Sequence, residues 1–325
     1  MSRPVVSVVI PTHNRPELLG QALDSIVLQG VDGVEAVVVN DGGCDVSDAV
    51  AVHRDQLDIR LVTLPSNQGL PAARNAGIDV ARGQWLAFLD DDDVWLPGHL
   101  AGVLEELGGS GFEMLHTDCL VAHARHDPRG AEPVRSHFTF DYPFPSEAFT
   151  VRQMLPGTGI VCRAFGPNGP RFDTSLGVCE DWDMWLQLTR RLKWRVRHLP
   201  QPTAVWHRMP SMPSMTTSCA TTIAGMHKYA DHYRMMHRRW PVPKGSLAAA
   251  MRSLPFTMFK LASQRMAEGR PVSHHFTERC AGVVNDTACG TLTLAQATDA
   301  MAEIILPYPW ELPRHPSLVE QLSPA

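Results

Sequence analysis

The chain has 325 residues, 44% of them apolar and 19% charged, a globular composition long enough for one large domain or two ordinary ones. Its apolar content excludes a disordered chain, its net charge of −5 gives no reason to expect nucleic acid as a partner, and no apolar run approaches the eighteen or so residues of a membrane span. Seven cysteines (44, 119, 162, 179, 219, 280, 289) form no CxxC pair, which argues against a disulfide framework or zinc knuckle and predicts a cytoplasmic protein in a reducing compartment.

In chain order, Met1-Ser2-Arg3-Pro4 runs directly into Val5–Ile10, a β-branched stretch that reads as a buried parallel strand and not as a signal peptide. Asn14 is placed to cap a helix from Arg15-Pro16 to about Leu28. Strands follow at Glu35–Val39, Ile59–Leu64 and Trp85–Leu89, with helices over Val46–His53, Pro71–Ala81 and from Pro97 to about Leu107. This alternation predicts an α/β fold with a mostly parallel sheet and helices on both faces. Beyond it, Phe112–Thr117 reads as a strand, 126–150 as a long loop rich in Pro, His and Phe, and Glu180–Leu192 as a helix. Helical pieces are expected over 222–239 and 246–268, the second interrupted by Pro255, and an extended or disordered tail over 306–325.

Charge divides the chain. Residues 1–207 carry 17 basic against 26 acidic residues, 208–270 carry 10 against 2, and 271–325 carry 2 against 6. An acidic front followed by a basic stretch predicts a site domain with an appended, mainly helical segment. The boundaries expected are 1–210 for the site domain, with a nucleotide-binding half 1–95 and an acceptor half 96–210, and 211–325 for the extension.

In a parallel sheet, ligands bind at the carboxyl ends of the strands. Three polar clusters fall there: Thr12-His13-Asn14, Asp41-Gly42-Gly43 and Asp90 to Asp93. Two like charges 4 Å apart repel by about 4 kcal/mol at an effective dielectric of 20, so four consecutive aspartates call for a cation or for solvent. Oxygen ligands at a strand end favour Mg²⁺ or Mn²⁺, with a solvated acidic loop as the alternative. The loop Asn67-Gln68-Gly69-Leu70 precedes a helix bearing Arg74, which could meet a phosphate or merely a neighbouring acid. Asp41 suits a ribose hydroxyl or a base N–H, or is a plain turn residue.

Val6–Asn14 (VSVVIPTHN), Val39–Gly42 (VNDG), Asn67–Gly77 (NQGLPAARNAG), Phe88–Leu100 (FLDDDDVWLPGHL) and Glu180–Leu188 (EDWDMWLQL) stand in one order. Together they resemble glycosyltransferase family 2 on the GT-A fold, over roughly residues 4–210. The resemblance implies an inverting, metal-assisted transfer from a nucleotide sugar, a UDP-sugar first, to a glycan, lipid-linked or protein acceptor. It places Pro11, Thr12, His13 and Asn14 around the base, Asp41 on the nucleoside, and Asn67 and Arg74 near the ribose and diphosphate. Asp90 and Asp92 become the DxD pair, with Asp92 the stronger metal ligand, Asp91 a further donor contact, and Asp93 leaving the register open. His207 is expected to reach the metal or diphosphate, with Arg208 beside it. The Glu180-Asp181 pair resembles the family's base motif, with Asp181 as the acceptor-deprotonating residue; a helix-terminal acid stabilised by the dipole is the plainer reading.

Two other function classes fit parts of the sequence. Phe88-Leu89-Asp90-Asp91-Asp92 also resembles the DxD of haloacid-dehalogenase phosphatases, but here it ends the fourth strand, not the first. A non-catalytic sugar-nucleotide or glycan binder is the other. His227, His232 and His237 recur every five residues, about 140° apart, so they share no helical face for a metal. His274-His275 has no visible partner. The cations from Lys228 to Arg270 read either as a solvated face on packed helices or as a peripheral contact with the inner membrane face or a lipid-diphosphate acceptor.

Overall fold

The computed structural model describes residues 3–109, 111–144, 147–166, 168–209 and 221–311. Of the proline-bearing tail, the part from 312 onward lies outside the described residues, as does Cys219. The chain divides into two units, one of residues 1–146 and 153–209 and one of residues 147–152 and 210–325.

In the first unit, β1 (Val6–Thr12) is buried along its whole length. It pairs in parallel with β2 (Val34–Asn40) and with β4 (Trp85–Phe88), and β3 (Asp58–Thr63) lies outside β2. The helices α1 (Pro16–Val27), α2 (Ser47–Ala51) and α3 (Leu70–Val80) make the crossovers. A Cβ at Gly77 of α3 would come within 2.4 Å of a Val9 methyl, so this helix is drawn tight against β1 and its N-terminus is fixed at the carboxyl edge of the sheet.

The parallel order stops at β4. The next strands are β5 (Val94–Trp95), β6 (Met114–Ala122), β7 (Ser136–Phe140), β8 (Ile160–Arg163) and β9 (Val196–His207), giving the order β3-β2-β1-β4-β8-β6-β9-β5 with β7 on β6. β8 runs antiparallel to both β4 and β6, β6 and β9 are parallel, and β5 is antiparallel to β9. The sheet is therefore mixed, parallel throughout only in its first four strands.

Several expectations change. The stretch 126–150 contains β7, in which Phe138, Thr139 and Phe140 pair antiparallel with Val121, Leu120 and Cys119 of β6, and a register shift skips His137 before Ser136 meets Ala122. Helix α4 (His99–Leu107) begins after Pro97 because Gly98 takes a left-handed conformation, φ 89°. Helix α5 (Glu180–Leu186) passes into a π-helical turn at Gln187–Arg191, where the Thr189 hydroxyl donates to the Trp185 carbonyl. Asn14 does not cap α1; its φ is 58° and its side-chain oxygen accepts from the Cys44 N–H at 2.7 Å.

The second unit is helical: α6 (Ile223–Arg239), α7 (Leu247–Met251), α8 (Ser253–Ala267), α9 (Phe276–Ala288) and α10 (Leu294–Ile304). The break expected at Pro255 falls at Arg252, because a proline in the first turn of α8 removes no helical hydrogen bond. Arg252 itself is inward, donating to the carbonyls of His237 and Thr150. The His274-His275 pair does have a partner: the Glu311 carboxylate accepts from the His274 N–H at 2.7 Å and from the Ser273 hydroxyl at 2.9 Å. Among the described residues no helix is long and apolar enough to cross a membrane. The six described cysteines are all free thiols.

Candidate active site

The loops after β1, β2 and β3 are tied together around Asp41. One Asp41 carboxylate oxygen accepts from the Gln68 N–H and the other from the Gly69 N–H, each at 2.8 Å. The Asn67 side chain also accepts from Gly69. His13 donates from Nδ1 to the Asp41 carbonyl at 2.9 Å, which leaves Nε2 to accept from the Asn14 amide at 3.0 Å. Asp41 is buried, so its first task is to hold the loop that leads into α3. Gly42 makes the approach feasible: its φ is 65°, and a Cβ there would lie 2.2 Å from the Ser66 carbonyl carbon. Gly42→Ala should therefore cost at least about 2 kcal/mol and lower the melting temperature by several degrees. A variant melting with the parent would show that these loops yield freely.

The four aspartates after β4 divide by partner. Asp90 accepts from Arg74 Nη2 at 2.7 Å. Asp91 is buried, accepting from the Thr12 hydroxyl at 2.7 Å and from Arg15. Asp92 accepts from Arg15 Nη1 at 3.0 Å. Asp93 is fully buried, accepting from the Thr158 hydroxyl and from the His207 N–H. Two arginines thus do part of the neutralising that sequence reasoning assigned to a divalent cation or solvent. They do not do all of it. Burial, with added repulsion from Asp92, pushes the Asp91 carboxyl up to about 7, and burial and neighbouring carboxylates raise Asp92 and Asp93 as well.

Asp90, Asp92 and Asp93 each offer a carboxylate oxygen, and these oxygens lie within 4.8 Å of one another. That donor set, hard, anionic and incompletely neutralised, fits Mg²⁺ or Mn²⁺. His207 stands elsewhere. Its Nδ1–H donates to the Asp92 carbonyl at 2.6 Å and its Nε2 accepts from the His126 N–H, while burial pushes its pKa down to about 4. The neutral ring props the backbone of the acidic turn, with Nδ1 4.0 Å from the Asp93 carboxylate and both nitrogens already engaged in hydrogen bonds to backbone groups. Arg208 is buried against Trp206.

Arg74 joins the acidic turn to α5. Its Nη2 holds Asp90 and its Nη1 holds Glu180 at 2.9 Å, and the guanidinium lies 5.3 Å from the Phe172 ring centre. Phe172 packs edge to face on both Phe88 and Trp185, which meet each other at a tilt, anchoring α5 on the end of β4. Burial pushes Glu180 up to about 7, helped by Asp181 and opposed by Arg74. Asp181 is also raised by burial, with Arg74 and Gln153 working the other way. The Gln153 oxygen accepts from the Met154 N–H at 3.1 Å, so its amide nitrogen faces Asp181 and donates to one carboxylate oxygen; the Trp182 N–H occupies the other. Asp181 is half-buried where Glu180 is buried. Cys179, at φ 66°, turns the chain so that both acids open the helix.

Arg15, Gln153 and Thr158 join the site without being predicted from sequence. Arg15 adjoins the Thr12-His13-Asn14 cluster and carried that much signal. Gln153 lies in irregular chain and Thr158 in a short 3₁₀ turn, Gly157–Gly159, with no sequence pattern to mark either.

Residues 7–131 match the model of a family described as glycosyl transferase family 2. An uncharacterized glycosyltransferase of Bacillus subtilis, YwdF, is 26% identical over 82% of this chain and 97% of its own length. The succinoglycan biosynthesis protein ExoO of Rhizobium meliloti is 35% identical over 34% of this chain, about a third of its own length. Among solved structures, S. aureus TarS 1–349 aligns with a TM-score of 0.52 at 16% identity, covering 93% of this chain and 83% of that one. A mannosyltransferase from Pyrobaculum calidifontis, in complex with GDP-Man and Mn²⁺, aligns at 0.54 with 18% identity, covering 96% and 83%. The family match and these relatives mark the chain as a glycosyltransferase, and its fold is the α/β fold of those two structures with C-terminal helices added.

Proposed function

We propose that this chain transfers a sugar from a nucleoside-diphosphate sugar, a UDP-sugar first, to a hydroxyl of a glycan, lipid-linked or protein acceptor, with inversion at the anomeric carbon. One observation carries the reading: buried Arg74 ion-pairs with Asp90 at one end and Glu180 at the other, so an acidic turn suited to a diphosphate-bound cation and a pair of acids suited to proton removal form one unit. Asp92, with Asp90, would hold Mn²⁺ or Mg²⁺; bound there, the ion offsets charge developing on the departing diphosphate. Asp181 takes the acceptor's proton as the new C1–O bond forms and the C1–O bond to phosphate breaks. Its partial exposure suits that task better than Glu180, which is committed to Arg74. Asp41 and the loops of Pro11 to Asn14 and Asn67 shape the nucleoside side, with Asp91 and Arg74 behind them. The fold likeness to TarS, also solved in complexes with UDP and UDP-GlcNAc, supports this choice of donor class. The phosphatase alternative loses ground because the acidic turn falls inside the family match.

Peripheral membrane contact rests on charge alone. Lys228, Arg234, Arg238, Arg239, Lys244, Lys260 and Arg270 are exposed, whereas Arg252 and Arg265 bond to carbonyls of their own unit.

The reading is tested by melting the protein with UDP-GlcNAc or GDP-Man, with and without Mn²⁺. A donor at a hundred times its dissociation constant adds about 2.7 kcal/mol of stability by mass action. Asp92→Asn should fold and lose the Mn²⁺-dependent part of that gain. No shift with any nucleotide sugar, or an unchanged Mn²⁺-dependent shift in the variant, would remove the metal-assisted donor site.

A further inference from the structure

We propose that Gln153 is the positioning residue for Asp181: its side-chain amide, aimed by two backbone N–H groups, fixes the rotation of the carboxylate that takes the acceptor's proton. This rests on the reading of Asp181 as the base. The Gln153 oxygen accepts from the Met154 N–H at 3.1 Å and the Leu155 N–H at 3.4 Å, which turns the amide nitrogen to one Asp181 oxygen. The other Asp181 oxygen accepts from the Trp182 N–H at 2.6 Å. Met154 and Leu155 are both buried, so the groups that aim the amide are part of the core. Further along, the Thr158 hydroxyl donates to Asp93 and the Thr158 carbonyl accepts from Trp95 Nε1 at 2.8 Å. The short segment 153–158 is thereby pinned to the base at its start and to the acidic turn at its end.

The torsion that turns an aspartate carboxylate is broad and roughly two-fold, so its rotation is set by whatever holds its oxygens. The Trp182 N–H grips one oxygen and leaves the group able to swing about it. A second donor on the other oxygen removes that freedom, and each oxygen keeps a lone pair for the acceptor's proton. The kind of donor matters as well. Glu180 is ion-paired with Arg74 at 2.9 Å, a charge-assisted contact that favours the anionic carboxylate. A neutral amide makes the weaker bond and orients Asp181 without neutralising it. The two acids that open α5 thus have different partners, which matches one acid that braces the site and one that takes up a proton.

The decisive variant is Gln153→Glu, which keeps length, planarity and an oxygen for the Met154 and Leu155 N–H groups and removes the N–H donated to Asp181. Transfer is read as nucleoside diphosphate released from UDP-GlcNAc or GDP-Man in Mn²⁺, beside donor affinity measured by calorimetry. Gln153→Glu should release it at least about tenfold more slowly than the parent and bind the donor within about twofold of the parent. Gln153→Leu removes the same N–H without adding charge and should fall alike, so it decides the matter if Gln153→Glu does not fold. An Asp181→Asn background separates positioning from general support of the fold. There Gln153→Leu should cost less than about twofold, because no base is left to aim. Parent-like release by either Gln153 variant, or an equal loss from Gln153→Leu in both backgrounds, overturns the positioning role and leaves the base standing. Parent-like release by Asp181→Asn alone overturns the base reading itself.

Discussion

Asp181→Asn should keep the fold and the nucleotide-sugar affinity and lower transfer by at least about a hundredfold, the low end of what a positioned general base contributes. The substitution keeps size and planarity, and the Asn oxygen can still accept from Gln153 or Trp182. What disappears is the capacity to take a proton. Because that capacity is used only as the new bond forms, the loss belongs in turnover and not in donor binding. Single-turnover transfer, measured beside donor binding, separates the two. Transfer at the parent rate would unseat Asp181 and leave Glu180 or Asp183 to be tried. Neither is as well placed: Glu180 is buried against Arg74, and Asp183 is fully buried, accepting from Gln187. Glu180→Gln should therefore act mainly through the ion pair, with a smaller direct effect on proton transfer.

Arg74→Met should be the most destabilising single change in the site. Removing one partner of a buried ion pair typically costs about 3–5 kcal/mol, because the other is left charged and unpaired. Here Asp90 and Glu180 both lose their cation, and the contact with Phe172 changes character. Proton uptake limits the loss, since Glu180 is already raised to about 7 with Arg74 in place and would rise further without it. Adding Glu180→Gln to Arg74→Met should accordingly restore part of the stability, a coupling that denaturant melts of the two single variants and the double variant can measure. Strictly additive losses would mean that the pair is not energetically linked, and the case for one joined site would lose its main support.

Much of the first half was legible in sequence. Val6–Ile10 and Glu35–Val39 are largely β-branched runs that suit a buried parallel sheet, and the punctuation between them marked the crossovers. The motif residues were also legible, because their spacing survives without knowledge of the fold. The antiparallel half was not. β7 and β8 are short, and their pairing with β6 depends on partners that stand from 14 positions (Ala122 and Ser136) to 48 positions (Met114 and Cys162) apart. A local pattern carries no information about such register.

The side chains show the same division. The sequence by itself determined that acids and an arginine would gather at the carboxyl edge of a parallel sheet, since strand order and side-chain alternation are local properties. It also determined Arg74, Asp90 and Glu180-Asp181 as the residues to watch. Only the tertiary structure decided how they are wired. Asp41 spends both oxygens on a loop, His207 spends both nitrogens on backbone groups, and Arg15 and Arg74 pair with three of the four aspartates. The reason is that hydrogen bonds and desolvation are fixed by distance and burial in three dimensions. Residues such as Thr12 and Asp91, or Arg74 and Glu180, stand 79 and 106 positions apart and are brought together by packing alone.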